Sequence, residues 1–342
     1  MEQKKLLTVT VPCYNSQAYM RKALDSLLTG GERLDIIVID DGSKDDTGAI
    51  ADDYAAKYPT IIRVVHQPNG GHGAGINRGI ALAEGLYFKV LDSDDRADPA
   101  ALKALLDDLD GLKESPVDLV VHDYVYDRPE REAVHRIRYG GAFPARRRIT
   151  WDQAKHISMS TQFMIHALCY RTQLLRDIGL ILPEHCFYED NLYIYRPLPH
   201  VKTLYYCPEA VYGYFVGRSD QSANHGVLLR HIDNVTDIAE QMTCSYKWSE
   251  LAALPKKLRR YMLNNACGNL CTAGAQQRMI NSEHSRELHS RMIKTIRDFD
   301  PELYRAIRRN LLGFAGTSEN AAVQNMLVFF YHTVRKFIGT GA

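Results

Sequence analysis

The 342-residue sequence lacks several features that would place a chain in a specialised class. Lys and Arg number 42 against 41 Asp and Glu, so the formal charge of +1 does not indicate a strongly basic nucleic-acid-binding protein. No apolar run approaches the roughly 18 residues of a membrane span. The apolar run at 6–11 is too short for the core of a signal peptide. With 45% apolar residues, the composition is that of a globular protein of about two domains.

Cysteine forms no recognisable framework. The seven cysteines are scattered, no Cys-x-x-Cys occurs, and no pair of histidines lies nearby at metal-ligand spacing. A disulfide scaffold and a structural zinc site are therefore both disfavoured. We expect a protein of the reducing cytoplasm, either soluble or attached peripherally to the inner face of the cell membrane.

Charge is distributed unevenly along the chain. Residues 226–342 hold 16 Lys and Arg against 10 Asp and Glu, whereas residues 1–225 carry a formal charge of −5. Solvated helix faces are one explanation, and a C-terminal surface that meets anionic partners such as phospholipid headgroups is the other. The apolar run Met326–Tyr331 is likewise open to two interpretations: a final helix packed on a core, or an amphipathic segment at a membrane surface.

Short β-branched runs alternate with helical patterns over the first 220 residues. Strands are predicted at 6–11, 34–39, 61–66, 86–91, 117–121, 167–170, 202–207 and 211–215. Helices are predicted from a cap at Ser16 to Gly30, and at 47–58, 76–84, 99–109, 151–157, 172–178 and from 187. This alternation predicts an α/β fold with a Rossmann-like, mostly parallel mixed sheet covered by helices on both faces. From about residue 226 the pattern is helical, so we place a domain boundary between 1–225 and 226–342.

Two polar clusters follow predicted strands, where ligands bind in such sheets. In Asp92-Ser93-Asp94-Asp95, carboxylates at i and i+2 can point at one divalent cation. An Asp-rich turn that caps the next helix is an equal alternative. In Asp40-Asp41-Gly42-Ser43, a carboxylate can accept hydrogen bonds from a ribose hydroxyl or a base, or the segment is a capping turn.

Three further segments carry weaker signals. The glycine-rich loop 69–75 would let backbone amides approach a phosphate, although it lacks the lysine of a P-loop and a flexible loop is as good an interpretation. Glu189-Asp190, flanked by aromatic residues, could provide a desolvated general base, or simply acidic residues in a first helical turn. Arg218 follows an aromatic strand and either pairs with a phosphate or lies on the surface.

The order of these segments, rather than any one of them, is informative. Val11-Pro12-Cys13-Tyr14-Asn15, Asp40-Asp41-Gly42-Ser43, Asn69 with its glycines, Asn77-Arg78-Gly79, Asp92-Ser93-Asp94-Asp95 and Glu189-Asp190 succeed one another along the chain. This succession closely resembles the inverting family 2 glycosyltransferases of the GT-A fold, of the bacterial capsular or exopolysaccharide type. The resemblance is strong over residues 6–98, recognisable to about 222, and does not clearly cover 226–342.

The resemblance implies the transfer of one hexosyl or N-acetylhexosaminyl group from a nucleotide-diphosphate sugar to a hydroxyl of a glycan or lipid-linked glycan. UDP is the expected nucleotide, and Mn²⁺ or Mg²⁺ is the expected cofactor. A homo-oligomer is compatible with the resemblance. Residues 1–98 would form the nucleotide-sugar half and 99–225 the acceptor side. The implied roles are the base Asp190 with its neighbour Glu189, the metal ligands Asp94 and Asp92, and the donor-binding residues Pro12, Tyr14, Asn15, Asp41, Asn69, Gly73, Asn77, Asp92, Ser93, Arg218 and Ser222.

The sequence departs from the family pattern at three places. Ile76 stands where many members have Arg, and Arg96 replaces a frequent aromatic residue. The Gln-x-x-Arg-Trp motif of processive synthases is absent, which favours the addition of a single sugar. Two other functions compete with the transferase: a haloacid dehalogenase-like phosphatase, disfavoured by Arg96, and a nucleotide-sugar-binding protein without turnover.

Overall fold

The computed structural model describes residues 5–128, 135–155, 157, 162–217 and 225–338. The chain divides into two compact units. The first comprises Met1–Cys186 and His200–Gly217, and the second comprises Phe187–Pro199 and Arg218–Ala342. The sequence analysis assigns residues 187–199 to the N-terminal domain, whereas here they group with the C-terminal unit. The further division at residue 98 stays a prediction.

The first unit is built on one mixed sheet. Its strands are β1 Leu7–Cys13, β2 Leu34–Asp40, β3 Ile62–His66, β4 Tyr87–Val90, β5 Arg96–Ala97, β6 Leu119–Asp127, β7 His135–Ile137, β8 Arg148–Ile149, β9 Leu168–Arg171 and β10 Leu204–Phe215. The order is β3-β2-β1-β4-β9-β6-β10-β5, with β7 on β6 and β8 on β10. Among strands of at least four residues, all run in one direction except β9, which is antiparallel to β4 and β6. The predicted mostly parallel α/β sheet is therefore confirmed.

Helices connect these strands in the predicted alternation. They are α1 Met20–Leu28, α2 Thr47–Lys57, α3 His72–Leu82, α4 Pro99–Leu112 and α5 Thr172–Asp177, with short 3-10 turns at Gly31–Arg33, Trp151–Gln153, Ile165–Ala167 and Leu198–His200. Every residue of β1 and β2 is buried, because helices cover both faces of a parallel sheet. The ends of these strands carry the polar clusters.

Helix α3 begins at His72 rather than at the predicted Ile76, so the glycine-rich loop is shorter than expected. Gly71, at φ 86°, ends the loop in a conformation that favours glycine. The glycines inside α3 let the helix lie directly on β1. A Cβ atom at Gly79 would come within 2.4 Å of Thr10 Oγ1. A Cβ atom at Gly75, a residue of the predicted loop, would come within 3.0 Å of Pro12 Cβ, so this glycine serves helix packing, a role that the loop interpretation did not foresee.

Four other expectations are corrected. The helix predicted at 151–157 is a single 3-10 turn, because Ala154 is already extended (ψ 147°). The two strands predicted at 202–207 and 211–215 are one strand, β10, with register shifts between Cys207 and Tyr212 that absorb Pro208. Ser16 does not cap α1 through its side chain, because α1 starts at Met20. The strand predicted at 117–121 extends as β6 to Asp127.

The described part of the second unit is helical, as predicted. Its helices are α6 Asp190–Tyr195, α7 His225–Arg230, α8 Ile232–Thr243, α9 Trp248–Ala253, α10 Lys256–Ile280, α11 Glu283–Phe299, α12 Pro301–Arg309, α13 Leu311–Gly316 and α14 Ala321–Ile338. The long helix α10 contacts α8, α11, α13 and α14 and forms the centre of this unit. Within the described residues, no helix has both the length and the apolar character needed to span a membrane.

Candidate active site

The loops after β1, β2 and β4 are tied together at the carboxyl edge of the sheet. Asn15 Oδ1 accepts a hydrogen bond from the Lys44 backbone N–H (2.8 Å), and the Asn15 N–H donates to Ser43 Oγ (3.1 Å). Asn15 has φ 49°, a left-handed conformation that asparagine tolerates better than most residues. Ser16 Oγ lies 2.8 Å from Ser93 Oγ. Predicted donor-binding residues from separate loops thus lie on one connected edge.

Asp41 holds the loop that follows β3. Its Oδ1 accepts from Gln67 Nε2 (2.8 Å) and the Gly70 N–H (2.9 Å), and its Oδ2 accepts from Asn69 Nδ2 (3.0 Å) and the Gly71 N–H (2.8 Å). The carboxylate is almost fully buried, at 3% exposure. A carboxylate has about four lone-pair sites, so protein donors already occupy its acceptor capacity. Asp41 therefore orders residues 67–71, whatever else it binds.

The remaining predicted donor-binding residues of the first unit differ in exposure. Pro12 is buried where Gly75 of α3 packs on β1, whereas Tyr14 is 52% exposed. Gly73 lies in the first turn of α3. The Asn77 side chain forms two hydrogen bonds of 2.9 Å with the Leu182 backbone, which fixes the segment before Cys186 to α3.

Asp92 and Asp95 are held by residues distant in sequence. His72 Nε2 lies 3.0 Å from Asp92 Oδ1. The buried Tyr212 hydroxyl accepts from the Asp92 N–H (3.2 Å) and donates to Asp95 Oδ2 (2.5 Å). The Phe215 N–H donates to Asp95 Oδ1 (2.7 Å). Strand β10 therefore fixes the Asp-rich turn after β4.

The two carboxyl groups have opposite electrostatics. Burial acts to raise the pKa of Asp92, but the hydrogen bond and charge of His72 outweigh it and hold that pKa below its ordinary value. Burial, followed by the negative charges of Asp92 and Asp94, raises the pKa of Asp95 to about 9. Near neutral pH, Asp92 is charged and Asp95 carries a proton until a cation or another positive group approaches.

His166 completes a group that could hold a metal ion. One ligand atom each from Asp92, Asp95 and His166 lie within 4.8 Å of one another. His166 Nδ1 is buried and has no hydrogen-bond partner among the described residues. Burial lowers the pKa of His166 to about 4, so the imidazole is neutral. Carboxylate oxygens with a neutral imidazole fit a divalent cation such as Mn²⁺. Asp94, half-buried on the same turn, is not in this group, and its ligand role stays a prediction.

The sequence analysis missed His166, the supporting Lys89 and the function of Tyr212. Lys89 is buried, and its Nζ donates to the His166 carbonyl (2.6 Å). Burial lowers the pKa of Lys89 to about 8. The Tyr212 ring lies 4.5 Å from the His166 ring. A lysine inside a buried strand was the one available signal, because a buried charge requires a special environment.

Glu189 and Asp190 lie in the second unit, at the start of α6. The helix begins at Asp190, three residues later than predicted, after Tyr188 adopts φ 70°. Glu189 is buried, at 3% exposure. The far end of α6 is fixed by the Tyr246 hydroxyl, which donates to the Arg196 carbonyl (2.5 Å). Burial and the charge of Asp190 raise the pKa of Tyr188 to about 12. The acidic pair is thus set in a well-defined turn.

Two predicted donor-binding residues, Arg218 and Ser222, lie outside the described residues.

Comparison with protein families gives a match over most of the first unit. The family model described as Glycosyl transferase family 2 matches residues 8–171. The chain is 31% identical over 210 residues to the uncharacterized glycosyltransferase EpsJ of Bacillus subtilis, covering 58% of each chain. It is 39% identical over 116 residues to the uncharacterized glycosyltransferase YibD of Escherichia coli, covering 32% of this chain and 33% of that one. The alignments thus span about three-fifths and one third of these relatives.

A solved structure matches nearly the whole chain. S. aureus TarS, residues 1–349, in complex with UDP-GlcNAc, superimposes with a TM-score of 0.69 over 96% of this chain and 92% of that chain. The sequence identity is 19%, so this likeness concerns the fold. It extends through the helical C-terminal region, where the sequence resemblance ends.

Proposed function

We propose that this protein, whose residues 8–171 match the family model of glycosyl transferase family 2 and which has a GT-A fold, moves one sugar from a nucleotide-diphosphate sugar to a hydroxyl of a glycan or lipid-linked glycan. The observation that carries the proposal is the edge formed by the Asp41-ordered loop and the Asp92–Asp95–His166 group. Loops at the carboxyl ends of parallel strands are where this class of sheet binds its ligands.

The donor we propose is a UDP-sugar. Its support is the UDP-GlcNAc held by TarS, whose fold this chain shares. Pro12, Tyr14 and Asn15 would line the base, and Asn69 and Gly73 would approach the phosphates. Asp41 would contribute mainly by holding residues 67–71, and a direct hydrogen bond from uracil or ribose would replace a contact of Gln67 or Asn69. Asn77, Ser93, Arg218 and Ser222 keep the donor-binding role that the resemblance implies.

A divalent cation would be held by Asp92 together with Asp94, Asp95 or His166. When bound, such a cation neutralises negative charge on the departing diphosphate. The chain itself prepares the site: His72 keeps Asp92 ionised and oriented, and Tyr212 fixes the turn that carries it. The buried His166 can present a lone pair because its imidazole is neutral.

We assign the general base to Asp190. Its carboxylate would take the proton from the acceptor hydroxyl while that oxygen attacks the anomeric carbon from the face opposite the diphosphate, which inverts the configuration. The bond from the anomeric carbon to the phosphate oxygen breaks, and the nucleoside diphosphate leaves with the electron pair. Glu189 is its buried neighbour. General base catalysis contributes about 10²–10⁴-fold.

A donor screen tests this function. The full chain is incubated with UDP-, GDP- and dTDP-sugars, with and without Mn²⁺, and the released nucleoside diphosphate is measured. We expect slow, Mn²⁺-dependent release of UDP from one sugar donor, absent in Asp92→Asn. Binding without release by the wild type, even when glycan acceptors are supplied, would favour a binding protein without turnover. The family match does not favour the phosphatase.

A further inference from the structure

The last helix exposes an apolar face. In α14, Met326, Phe329 and Phe330 are 54%, 68% and 55% exposed. Their spacing of i, i+3 and i+4 puts them on one side of the helix. Leu327, by contrast, is 6% exposed. No Asp, Glu, Lys or Arg occurs between 321 and 334, so this face has few groups that gain from hydration.

Helix α14 is held by contacts on its other sides. The Gln276 side chain of α10 donates to the Tyr331 hydroxyl (3.2 Å), and Arg278 Nε donates to Asn325 Oδ1 (3.0 Å). Its outer aromatic residues are therefore presented by an anchored helix. Exposed apolar sets of this kind mark interaction sites on soluble proteins.

The preceding helices add apolar and basic side chains. In α13, Leu311 is 80% exposed and Phe314 is 36% exposed. The Arg308 guanidinium lies 4.4 Å from the centroid of the Phe314 ring, so a cation accompanies the aromatic residue. Arg305 and Arg309 of α12 are exposed. Basic and apolar side chains thus occur together in α12 and α13.

Acidic residues are scarce in this region. From the start of α12, residues 301–342 contain five Lys and Arg but two Asp and Glu, of which Glu302 lies 3.8 Å from Arg305. Apolar side chains beside an excess of positive charge are complementary to a bilayer surface that contains anionic lipids. A two-fold contact between copies of the chain would bring the same arginines of both copies to one interface, with few carboxylates to pair them.

We propose that the exposed basic and apolar side chains of α12, α13 and α14, here called the C-terminal face (Arg305, Arg309, Leu311, Phe314, Phe329 and Phe330), bind the surface of an anionic phospholipid bilayer. The apolar side chains enter the boundary between headgroups and acyl chains, and the arginines contact the phosphates. The chain lies on the bilayer and does not cross it. The inference rests on the proposed function, because a lipid-linked acceptor is presented at such a surface. Binding to the bilayer is nevertheless measured without any sugar transfer.

Vesicle flotation of the full chain tests the proposal. The protein is mixed with vesicles of phosphatidylcholine alone or of phosphatidylcholine with anionic phosphatidylglycerol, and floated on a density gradient. We expect binding to the anionic vesicles only. The double variant Phe329→Ser/Phe330→Ser should lower the partition coefficient at least tenfold. Each of Arg305→Gln and Arg309→Gln should lower it about fivefold, since one basic residue near an anionic surface contributes about that factor.

Ile181→Ser is the matched control, because Ile181 is an apolar residue of the first unit with 68% exposure, equal to that of Phe329. It should float like the wild type. All substituted side chains are exposed, and circular dichroism verifies that the variants fold. Absence of flotation by the wild type, or equal loss in the control and the double variant, would overturn the proposal. So would light scattering that shows a dimer which the double variant dissolves, because a second copy would then cover the face.

The donor screen, run on the same samples, separates the two proposals. Flotation without release of any nucleoside diphosphate would leave the bilayer-binding face standing and count against the transferase. Release of a nucleoside diphosphate without flotation would support the transferase and overturn the bilayer-binding face.

Discussion

Two buried polar clusters, one in each unit, are hydrogen-bonded in different ways. In the first unit, the cluster consists of Asp92 and Asp95 on the turn after β4, His166 before β9 and Tyr212 of β10. His166 Nδ1 lacks a partner among the described residues. In the second unit, Gln277 donates to Thr236 Oγ1 (2.8 Å), and its Oε1 lies 2.7 Å from His289 Nδ1. His289 Nε2 in turn lies 3.1 Å from the Ser318 carbonyl. A buried imidazole nitrogen without a partner beside two carboxyl groups offers a position for a ligand, whereas the hydrogen-bonded set around Gln277 holds helices together.

The largest expected effect comes from Asp190, which lies in the second unit. It would show that the second unit contributes to catalysis as well as to stability. Asp190→Asn should lower kcat for sugar transfer by about 10²–10⁴-fold, since the amide cannot accept the proton. Binding of the UDP-sugar, measured by calorimetry, should stay nearly unchanged. Asp298→Asn, on an exposed carboxylate of the same unit, is the control. A transfer rate of Asp190→Asn equal to that of the wild type would reject the base assignment.

The next effect concerns the link between α3 and the Asp-rich turn. His72→Ala removes the group that keeps Asp92 ionised and oriented, so Mn²⁺-dependent binding of UDP should weaken about 10–100-fold, the range for residues that orient metal ligands. The measurement is a calorimetric titration of UDP at fixed Mn²⁺. His284→Ala is the control, because His284 makes a similar 2.8 Å contact with Asp233 in the second unit. Equal affinities of the wild type and His72→Ala for UDP would show that His72 does not support the metal-binding role of Asp92.

A pair of tyrosine variants sharpens the contrast within one strand. Tyr212→Phe and Tyr206→Phe each delete a buried hydroxyl of β10 that donates to a buried carboxyl group, Asp95 or Asp123. Each should lower the free energy of unfolding by about 1–3 kcal/mol. Only Tyr212→Phe should also weaken Mn²⁺-dependent UDP binding. If both variants, or neither, changed UDP binding, Tyr212 would have no specific role in the Mn²⁺-dependent binding of UDP.

The hydrogen-bonded set around Gln277 predicts loss of stability alone. Gln277→Ala leaves Thr236 and His289 without their partner, so the free energy of unfolding should fall by about 1–3 kcal/mol in urea. Release of UDP by the folded variant should match the wild type. A selective loss of UDP release, with unchanged stability, would show that this set takes part in function.

The smallest effect is a pH dependence in the first unit. Hydrogen bonds to Asp40 and Asp52 raise the pKa of His66 above its ordinary value. Its stabilising contribution is therefore complete below the unfolded pKa of about 6.5 and is lost as the pH rises through the folded value. Because the side chain is 50% exposed, the contribution should stay below about 1 kcal/mol. Urea midpoints at pH 5.5 and 8.5 should differ more for the wild type than for His66→Gln, and equal differences would contradict this.

Local patterns in the sequence predict much of the sheet but only part of the candidate site. The strands β1–β4 are short apolar runs, and the polar residues that follow them are neighbours in sequence, so the Asp92 turn and the Asp41 turn are foreseeable. The position of Asp92 beside His166 depends on β9 lying next to β4, and that of Tyr212 depends on the pairing of β5 with β10. No local pattern encodes such pairings between distant segments.

The differences along the chain between the predictions and the structure have related physical causes. Glycine ordinarily indicates a loop, but Gly75 of the predicted loop permits close packing of α3 on β1. Two strands are predicted at 202–207 and 211–215, yet shifts of register carry β10 past Pro208 as one strand. The grouping of residues 187–199 with the second unit depends on tertiary packing, which the order of elements does not reveal.

On the proposed function, the sheet edge that carries Asp41 and Asp92 binds a nucleoside diphosphate together with a divalent cation. Calorimetric titration of UDP into the full chain, with and without Mn²⁺, tests it most directly when repeated on Asp92→Asn. We predict binding that requires Mn²⁺ and is weakened at least tenfold in the variant. Failure of UDP, GDP and dTDP all to bind in the presence of Mn²⁺, or equal binding by the wild type and Asp92→Asn, would contradict the account.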